Sequence, residues 1–74
     1  MKITVRLFAF FREGRFIEET REYPDKTTVA EVISGLGIDI NAVGVTMIAS
    51  RHCNLDTPLK DGDDLGIFPM IGGG

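Results

Sequence analysis

Apolar and polar side chains alternate at the start of the chain. Across residues 2–10, one set of alternate positions holds Ile3, Val5, Leu7 and Ala9, and β-branched and aromatic residues are frequent. A period of two is the pattern of a strand with one buried face. The sequence therefore predicts a strand over residues 2–10 with these four residues facing the core.

The other face of this predicted strand carries aromatic side chains. Arg6 lies on it and indicates solvent, yet Phe8 and Phe10 follow at the same parity. Phe68 lies in the last predicted strand. Exposed apolar patches often mark partner surfaces, so we predict that Phe8, Phe10 and Phe68 form a docking patch if the two strands are neighbours. The alternative is that the sheet curls and one or more of these rings belongs to the core.

A charged strand and an amphipathic helix follow. Residues 16–23 are dense in charges, as is typical of a strand at a sheet edge, and Pro24 ends the stretch. Thr28 and Glu31 have the spacing of a capping box, which predicts a helix start. Apolar residues then recur at helical spacing, at Val29, Val32, Ile33 and Leu36. This spacing predicts a helix of two to three turns with one buried face.

The second half of the chain supplies the remaining strands. Residues 44–50 read as a third strand, 51–54 as a turn or bulged strand end, and 55–64 as loop. The last strand contains Pro69, which lacks a backbone donor and fits only at a sheet edge or a strand end. The order strand-strand-helix-strand-strand predicts an α+β fold, with one sheet and one crossing helix in a grasp-like arrangement.

Size and charge narrow the classes of function. The chain has 74 residues and a net charge of −3, with eight scattered basic residues. So small a domain rarely builds a deep catalytic site, and no basic stripe for nucleic acid is present in the sequence. No apolar stretch is long enough for a membrane span or signal peptide. A single cysteine precludes an internal disulfide, and we expect a cytoplasmic protein.

Two groups of reactive side chains lead to no predicted site. His52 and Cys53 are adjacent, and neighbouring side chains in a strand point to opposite faces. We therefore predict that His52 lies on the surface and that Cys53 is a small, half-buried packing residue. One Cys and one His fall short of the ligands that zinc needs, and no metal is predicted. Turn-forming and solubility roles are expected for a group of acidic residues, Asp56, Asp61, Asp63 and Asp64.

The glycine-rich tail is the remaining candidate. Residues 70–74 read Met-Ile-Gly-Gly-Gly and can extend about 16–18 Å. Glycines lack a Cβ, so such a thread is narrow enough to enter a closed channel of another protein. The reactive group would be the α-carboxylate of Gly74, which another enzyme must activate, for example as an acyl-adenylate. A frayed end is the alternative on composition alone.

The C-terminal block resembles that of the ubiquitin-like sulfur carriers MoaD and ThiS. Residues 56–63 match their D-x-P-L-x-D-G-D turn, and an apolar strand, Pro69 and the pair Gly73 and Gly74 follow as in that family. Residues 3–13 are similar to MoaD-type first strands, and the predicted helix lies where the family has its crossing helix. The resemblance implies a β-grasp (ubiquitin-like) fold with a mixed sheet of about four to five strands over residues 1–69. We predict that residues 70–74 form a flexible glycine-rich tail after this domain.

The resemblance also implies a chemistry. An ATP-dependent activating enzyme would adenylate Gly74, which then becomes a thiocarboxylate and donates its sulfur. The acceptor would be a molybdopterin precursor on a synthase large subunit, or the thiazole precursor of thiamine on thiazole synthase. The carrier would be a co-substrate rather than an enzyme, with no bound cofactor and with ATP used only by its activator. The residues of the threaded tail would be Met70, Ile71, Gly72 and Gly73.

Several alternatives stay open. The chain could instead be a modifier joined to lysines through Gly74, or a non-covalent interaction module with an inert tail. Family members commonly have an Asn-Gly-type turn after the third strand, where residues 50–54 read Ser-Arg-His-Cys-Asn. This departure concerns the docking contacts near His52. The pathway is left open between the MoaD and ThiS branches, because Gly37 and Ile38 after the helix resemble ThiS members while the first strand resembles MoaD members. We expect a monomer alone and a hetero-complex with its partners.

Overall fold

A computed structural model describes residues 1–70, which form one mixed five-stranded sheet with one α-helix packed on it. The strands are β1 (Lys2–Leu7), β2 (Glu18–Glu22), β3 (Val43–Ile48), β4 (Arg51–His52) and β5 (Asp64–Pro69), and the helix α1 is Val29–Gly35. Two 3₁₀ helices, Ala9–Arg12 and Ile40–Ala42, lie in connections. The predicted order is confirmed, and the short β4 occupies the segment predicted as a turn or strand end.

The strand order across the sheet is β2-β1-β5-β3-β4. The first and last strands of the chain pair in parallel at its centre, and all other pairs are antiparallel. The charged strand β2 lies at one edge, as predicted. Pro69 lies at the end of the central strand β5, where its missing donor interrupts the ladder least.

The predicted core face of β1 is confirmed except at its end. Ile3, Val5 and Leu7 are fully buried. The prediction for Ala9 was wrong, because β1 ends at Leu7 and Ala9 is exposed with φ 51°. The chain turns there into the 3₁₀ helix, which buries Phe11 in its place. The strand therefore covers residues 2–7 rather than 2–10.

Helix α1 begins where the sequence predicts and has the predicted length. The Thr28 backbone N–H donates to Glu31 Oε1 at 2.9 Å, and the Glu31 N–H donates to Thr28 Oγ1 at 3.3 Å, which completes the capping box. The seven-residue helix makes about two turns. The predicted apolar face packs on the sheet, with three of its residues fully buried: Val29, Val32 and Ile33. Gly37, with φ 75°, ends the helical segment.

The acidic loop before β5 attaches that strand to β1. Asp61 Oδ1 accepts from the Lys2 N–H at 2.7 Å, and the Gly62 N–H donates to the Lys2 carbonyl at 2.8 Å. Asp63 Oδ2 accepts from the Lys60 N–H at 2.8 Å and closes the turn. The predicted turn-forming role is confirmed for Asp63, whereas the side chain of Asp61 joins the loop to β1. Within residues 1–70, no helix is long and apolar enough to cross a bilayer.

Candidate functional site

The sheet face opposite α1 carries a shallow depression of about 290 Å³. Its floor is Gly66 of β5, which pairs with Arg6 of β1 on one side and with Met47 of β3 on the other. Because side chains alternate along a strand, these residues and Phe68 share the face that points away from the core. The central strand β5 therefore supplies both the floor of the depression and one of its aromatic walls.

Phe8 and Phe68 stack on each other at this site. Their ring centroids lie 4.0 Å apart, and the ring planes differ by 8°. Phe8 follows β1 in extended conformation, with φ −124° and ψ 153°, so its ring continues the outer face of that strand. A Cβ at Gly66 would lie 3.4 Å from a carbon of each ring, so both rings pack closely over this glycine. The structure thus brings together two of the three predicted aromatic residues.

Phe10 occupies a different position. It lies in the 3₁₀ helix, is 51% exposed, and contacts Phe11 edge to face with centroids 5.2 Å apart. The expectation that Phe10 follows Phe8 on one strand face was wrong, because β1 ends before it. A role of Phe10 in docking stays a prediction, and it concerns the surface of the 3₁₀ helix rather than the outer face of the sheet.

Charged groups border the depression. Arg6 Nε donates to both carboxylate oxygens of Asp64, at 2.8 and 3.0 Å, and Arg6 Nη1 contacts Glu18 Oε1 at 2.6 Å. The hydrogen bond to Asp64, with the charges of Asp64 and Glu18, raises the pKa of Arg6 above its ordinary value. Arg12 lies over the Phe8 ring, 5.4 Å from its centroid. The site therefore has an apolar centre and a charged border, the usual anatomy of a protein interface.

Besides Gly66, three residues that line this site escaped the sequence analysis. Met47 lines the depression beside Gly66, and the alternation of β3 does not identify it, because Val45 and Met47 form the apolar set of positions while Thr46 is the buried residue. Ala49 and Ser50 also line it, from a two-residue turn between β3 and β4 in which both residues have positive φ, 51° and 66°. Such turns favour Asn-Gly, so neither residue type signals one.

His52 and Cys53 lie at the β4 edge without forming a reactive pair. His52 is exposed, and Cys53 is half-buried against the core, as predicted. The Cys53 backbone N–H donates to the Thr46 carbonyl, and Thr46 Oγ1 donates to the Cys53 carbonyl, both at 3.0 Å. Among residues 1–70, no three His, Cys, Asp or Glu side chains are grouped for metal binding.

The start of the tail is held at the C-terminal end of β5, next to the aromatic stack. The Met70 backbone N–H donates to the Ala42 carbonyl at 2.8 Å, while its side chain is 54% exposed. Ile71, Gly72, Gly73 and Gly74, the other predicted tail residues, lie outside the described residues. One strand thus links the aromatic stack to the predicted reactive tail.

Comparison with known proteins places this geometry in a family. A protein of Pyrococcus furiosus assigned as molybdopterin converting factor subunit 1 is 28% identical, with a TM-score of 0.76 over 96% of this chain and 99% of that one. In a complex of subunits 1 and 2 of the molybdopterin-converting factor from Helicobacter pylori, the similar chain is 25% identical, with a TM-score of 0.66 and full coverage of both chains. SAMP1 from Haloferax volcanii, at 20% identity, a TM-score of 0.75 and full coverage of both chains, shares the fold. No curated protein sequence matches the chain.

The family model of the ThiS family matches residues 5–74, which is nearly the whole chain and includes the tail. The sheet order, the single crossing helix and the structural neighbours agree on the ubiquitin-like β-grasp fold that the sequence predicts. The chain belongs to the ThiS family and is a ubiquitin-like protein of the MoaD/ThiS group.

Proposed function

We propose that this protein is a sulfur carrier in cofactor biosynthesis and that the α-carboxylate of Gly74 is its working group. The observation that carries the proposal is the role of β5, which presents Phe68 in a half-buried aromatic stack on the outer sheet face and then leads through Met70 into the glycine tail. A partner that docks on the stack receives the tail from the same strand. Membership of the ThiS family over residues 5–74 supports this assignment.

Formation of the reactive group takes two steps, both on a partner enzyme. A carboxylate oxygen of Gly74 attacks the α-phosphorus of ATP, and pyrophosphate leaves, which gives an acyl-adenylate. A sulfur nucleophile at the level of hydrosulfide then attacks the carbonyl carbon, AMP leaves, and one proton is released. The product is a thiocarboxylate. On the sulfur-accepting enzyme its sulfur attacks an electrophilic carbon of the acceptor and displaces a leaving group, and water then cleaves the thioester, which leaves a thiol on the acceptor, restores the Gly74 carboxylate and releases one proton. Covalent activation of this kind divides one difficult substitution into two easier ones.

Formation and use of the thiocarboxylate require different partners. An adenylating enzyme activates the tail, and a sulfur-accepting synthase consumes the thiocarboxylate, with a molybdopterin synthase large subunit or a thiazole synthase as the candidates. The Helicobacter pylori neighbour is a complex of two subunits of its converting factor, which supports a hetero-complex of this type. The carrier acts as a co-substrate in the cytoplasm. It requires no cofactor of its own, because ATP belongs to the activating enzyme.

An intact-mass experiment tests the proposal. The protein is incubated with an adenylating enzyme of its genome, ATP, Mg²⁺ and a sulfur donor. We expect the mass change of one sulfur replacing one oxygen, located by fragmentation to Gly74. An unchanged mass with every such enzyme contradicts the carrier function. If lysines of trypsin-digested cell protein instead carry residues 61–74 of this chain as a branch, which is the remnant expected because Lys60 is its last basic residue, the chain is a modifier that shares only the activation step.

A further inference from the structure

Gly44 is the extra residue of a β-bulge in β3. Val43 pairs with Pro69 and Val45 pairs with Phe68, so Gly44 has no partner of its own across the ladder. The φ of Gly44 is outside the left-handed region, in contrast to that of Gly62. The backbone conformation therefore gives no reason for a glycine at this position.

The reason is the close approach of the last strand. A Cβ on Gly44 would lie 2.9 Å from the Pro69 carbonyl oxygen, 3.0 Å from Met70 Cα and 3.1 Å from Met70 N. All three are backbone atoms, which cannot rotate away as a side chain can. Any other residue at position 44 has to displace the Pro69–Met70 segment from β3.

That segment is where the tail leaves the sheet. Pro69 is buried and has no N–H, so the bond from the Met70 N–H to the Ala42 carbonyl, at 2.8 Å, holds the strand end instead. The absence of a side chain at Gly44 lets the strand end approach β3, and the Ala42 carbonyl accepts the hydrogen bond that holds it there. Together they fix the position of Met70 relative to the Phe8–Phe68 stack.

We infer that Gly44 is a positioning residue for tail activation, an inference that rests on the proposed sulfur-carrier function. Four residues, 71–74, separate Met70 from the carboxylate carbon and span at most about 13–14 Å. A partner that holds the aromatic stack must place its reactive centre within this distance of Met70. A displaced tail origin therefore changes where the carboxylate arrives, and misplacement by about 1 Å can reduce a rate roughly 100-fold.

Steady-state kinetics of adenylation provide the first test. With the Gly44→Ala protein as substrate, we expect the kcat of the activating enzyme to fall at least about tenfold and its KM to change little. The reason is that the aromatic stack still docks while the tail is misaligned. Gly35→Ala is the matched control: it adds the same methyl group in α1, where no atom lies within 4 Å of the new Cβ. It should behave like the wild type.

A second pair of variants tests the same contact without adding bulk to β3. Met70→Pro removes the N–H that bonds to Ala42, whereas Met70→Ala keeps it. We expect the proline variant to lose kcat relative to the alanine variant. In the isolated protein, amide hydrogen exchange should show faster exchange of the Met70 N–H in Gly44→Ala than in Gly35→Ala, at a temperature where melting curves show both variants folded.

The outcomes separate this inference from the function on which it rests. If the wild type is not adenylated by any activating enzyme, the proposed function fails. If the wild type is adenylated and both Gly44→Ala and Met70→Pro retain its kcat, the positioning role alone is wrong. A loss confined to KM also overturns it, because that result assigns Gly44 to docking.

Discussion

The rings of Phe8 and Phe68 lie face to face, 4.0 Å apart between centroids, on the sheet face opposite the helix. Phe8 follows the first strand and Phe68 belongs to the last, so the contact exists only because β1 and β5 pair in parallel. Both rings are half-buried, and both line the depression. A half-buried aromatic pair in an open depression is the composition expected of an interface anchor.

Substitution of this pair should affect binding more than folding. We expect Phe68→Asp to weaken binding of the activating enzyme by about 2 kcal/mol or more, roughly 30-fold in Kd. The free energy of unfolding should fall by less than the free energy of binding, because the ring is only half-buried in the free protein and the aromatic pair contributes about 1 kcal/mol beyond the area it buries. Phe8→Ala should act in the same direction. Calorimetric titration and thermal melting measure the two effects.

Ile17→Asp is the matched control for this experiment. Ile17 is 62% exposed and lies outside the depression, so its loss should leave binding unchanged. Equal weakening by the control, or a loss of stability as large as the loss of binding, returns Phe68 to a purely structural role.

Gly74→Ala should block adenylation and leave the fold intact. A methyl group at the last residue widens the thread at the point that must enter the partner's site, whereas the described domain ends earlier, at β5. Isotope exchange between pyrophosphate and ATP measures the activation step, and circular dichroism measures the fold. Normal exchange by the variant, under conditions where the wild type is active, contradicts the threaded-tail hypothesis.

Ser50→Gly should stabilise the protein. Ser50 has φ 66° in the β3–β4 turn, and a left-handed conformation costs a residue with a side chain about 1–2 kcal/mol. Glycine removes this cost but loses about 0.5–1 kcal/mol of chain entropy on folding, so the net gain is about 0.5–1 kcal/mol. Chemical denaturation measures it.

The control for this substitution is Ser34→Gly, at an exposed position of α1. There the same replacement should reduce the free energy of unfolding by about 0.5 kcal/mol. Stabilisation at both positions, or at neither, means that the turn conformation is not the cause.

The capping box of α1 should make stability depend on pH. Hydrogen bonds from Thr28, first from its backbone N–H and then from its hydroxyl, lower the pKa of Glu31 from its ordinary value of 4.5. A lowered folded-state pKa stabilises the fold at pH above the unfolded-state value, and this stabilisation is lost as the pH falls through the folded-state pKa. Thermal melting from neutral to acidic pH should show the loss. Glu31→Gln should remove that part of the pH dependence, and an unchanged profile in the variant assigns the acid sensitivity elsewhere.

Local patterns identified most of the secondary structure. The alternation at Ile3, Val5 and Leu7 predicted the buried face of β1, and the spacing of Thr28 and Glu31 predicted the start of α1. These signals are reliable because they depend on neighbours along the chain. The end of β1 was misplaced because Phe8 and Phe10 continue the alternation, while only the packing of Phe11 into the core shows where the strand stops.

Sequence by itself determined the class of the fold, the charged edge strand, the acidic turn and the glycine tail, because residue type and spacing along the chain carry each of these. Tertiary structure decided the rest. Pairing of the first and last strands brings Phe8 onto Phe68 and excludes Phe10 from the stack. The bulge at Gly44 fixes where Met70 leaves the sheet. Both features depend on contacts between segments far apart in the chain, and such contacts leave no local pattern from which they could be predicted.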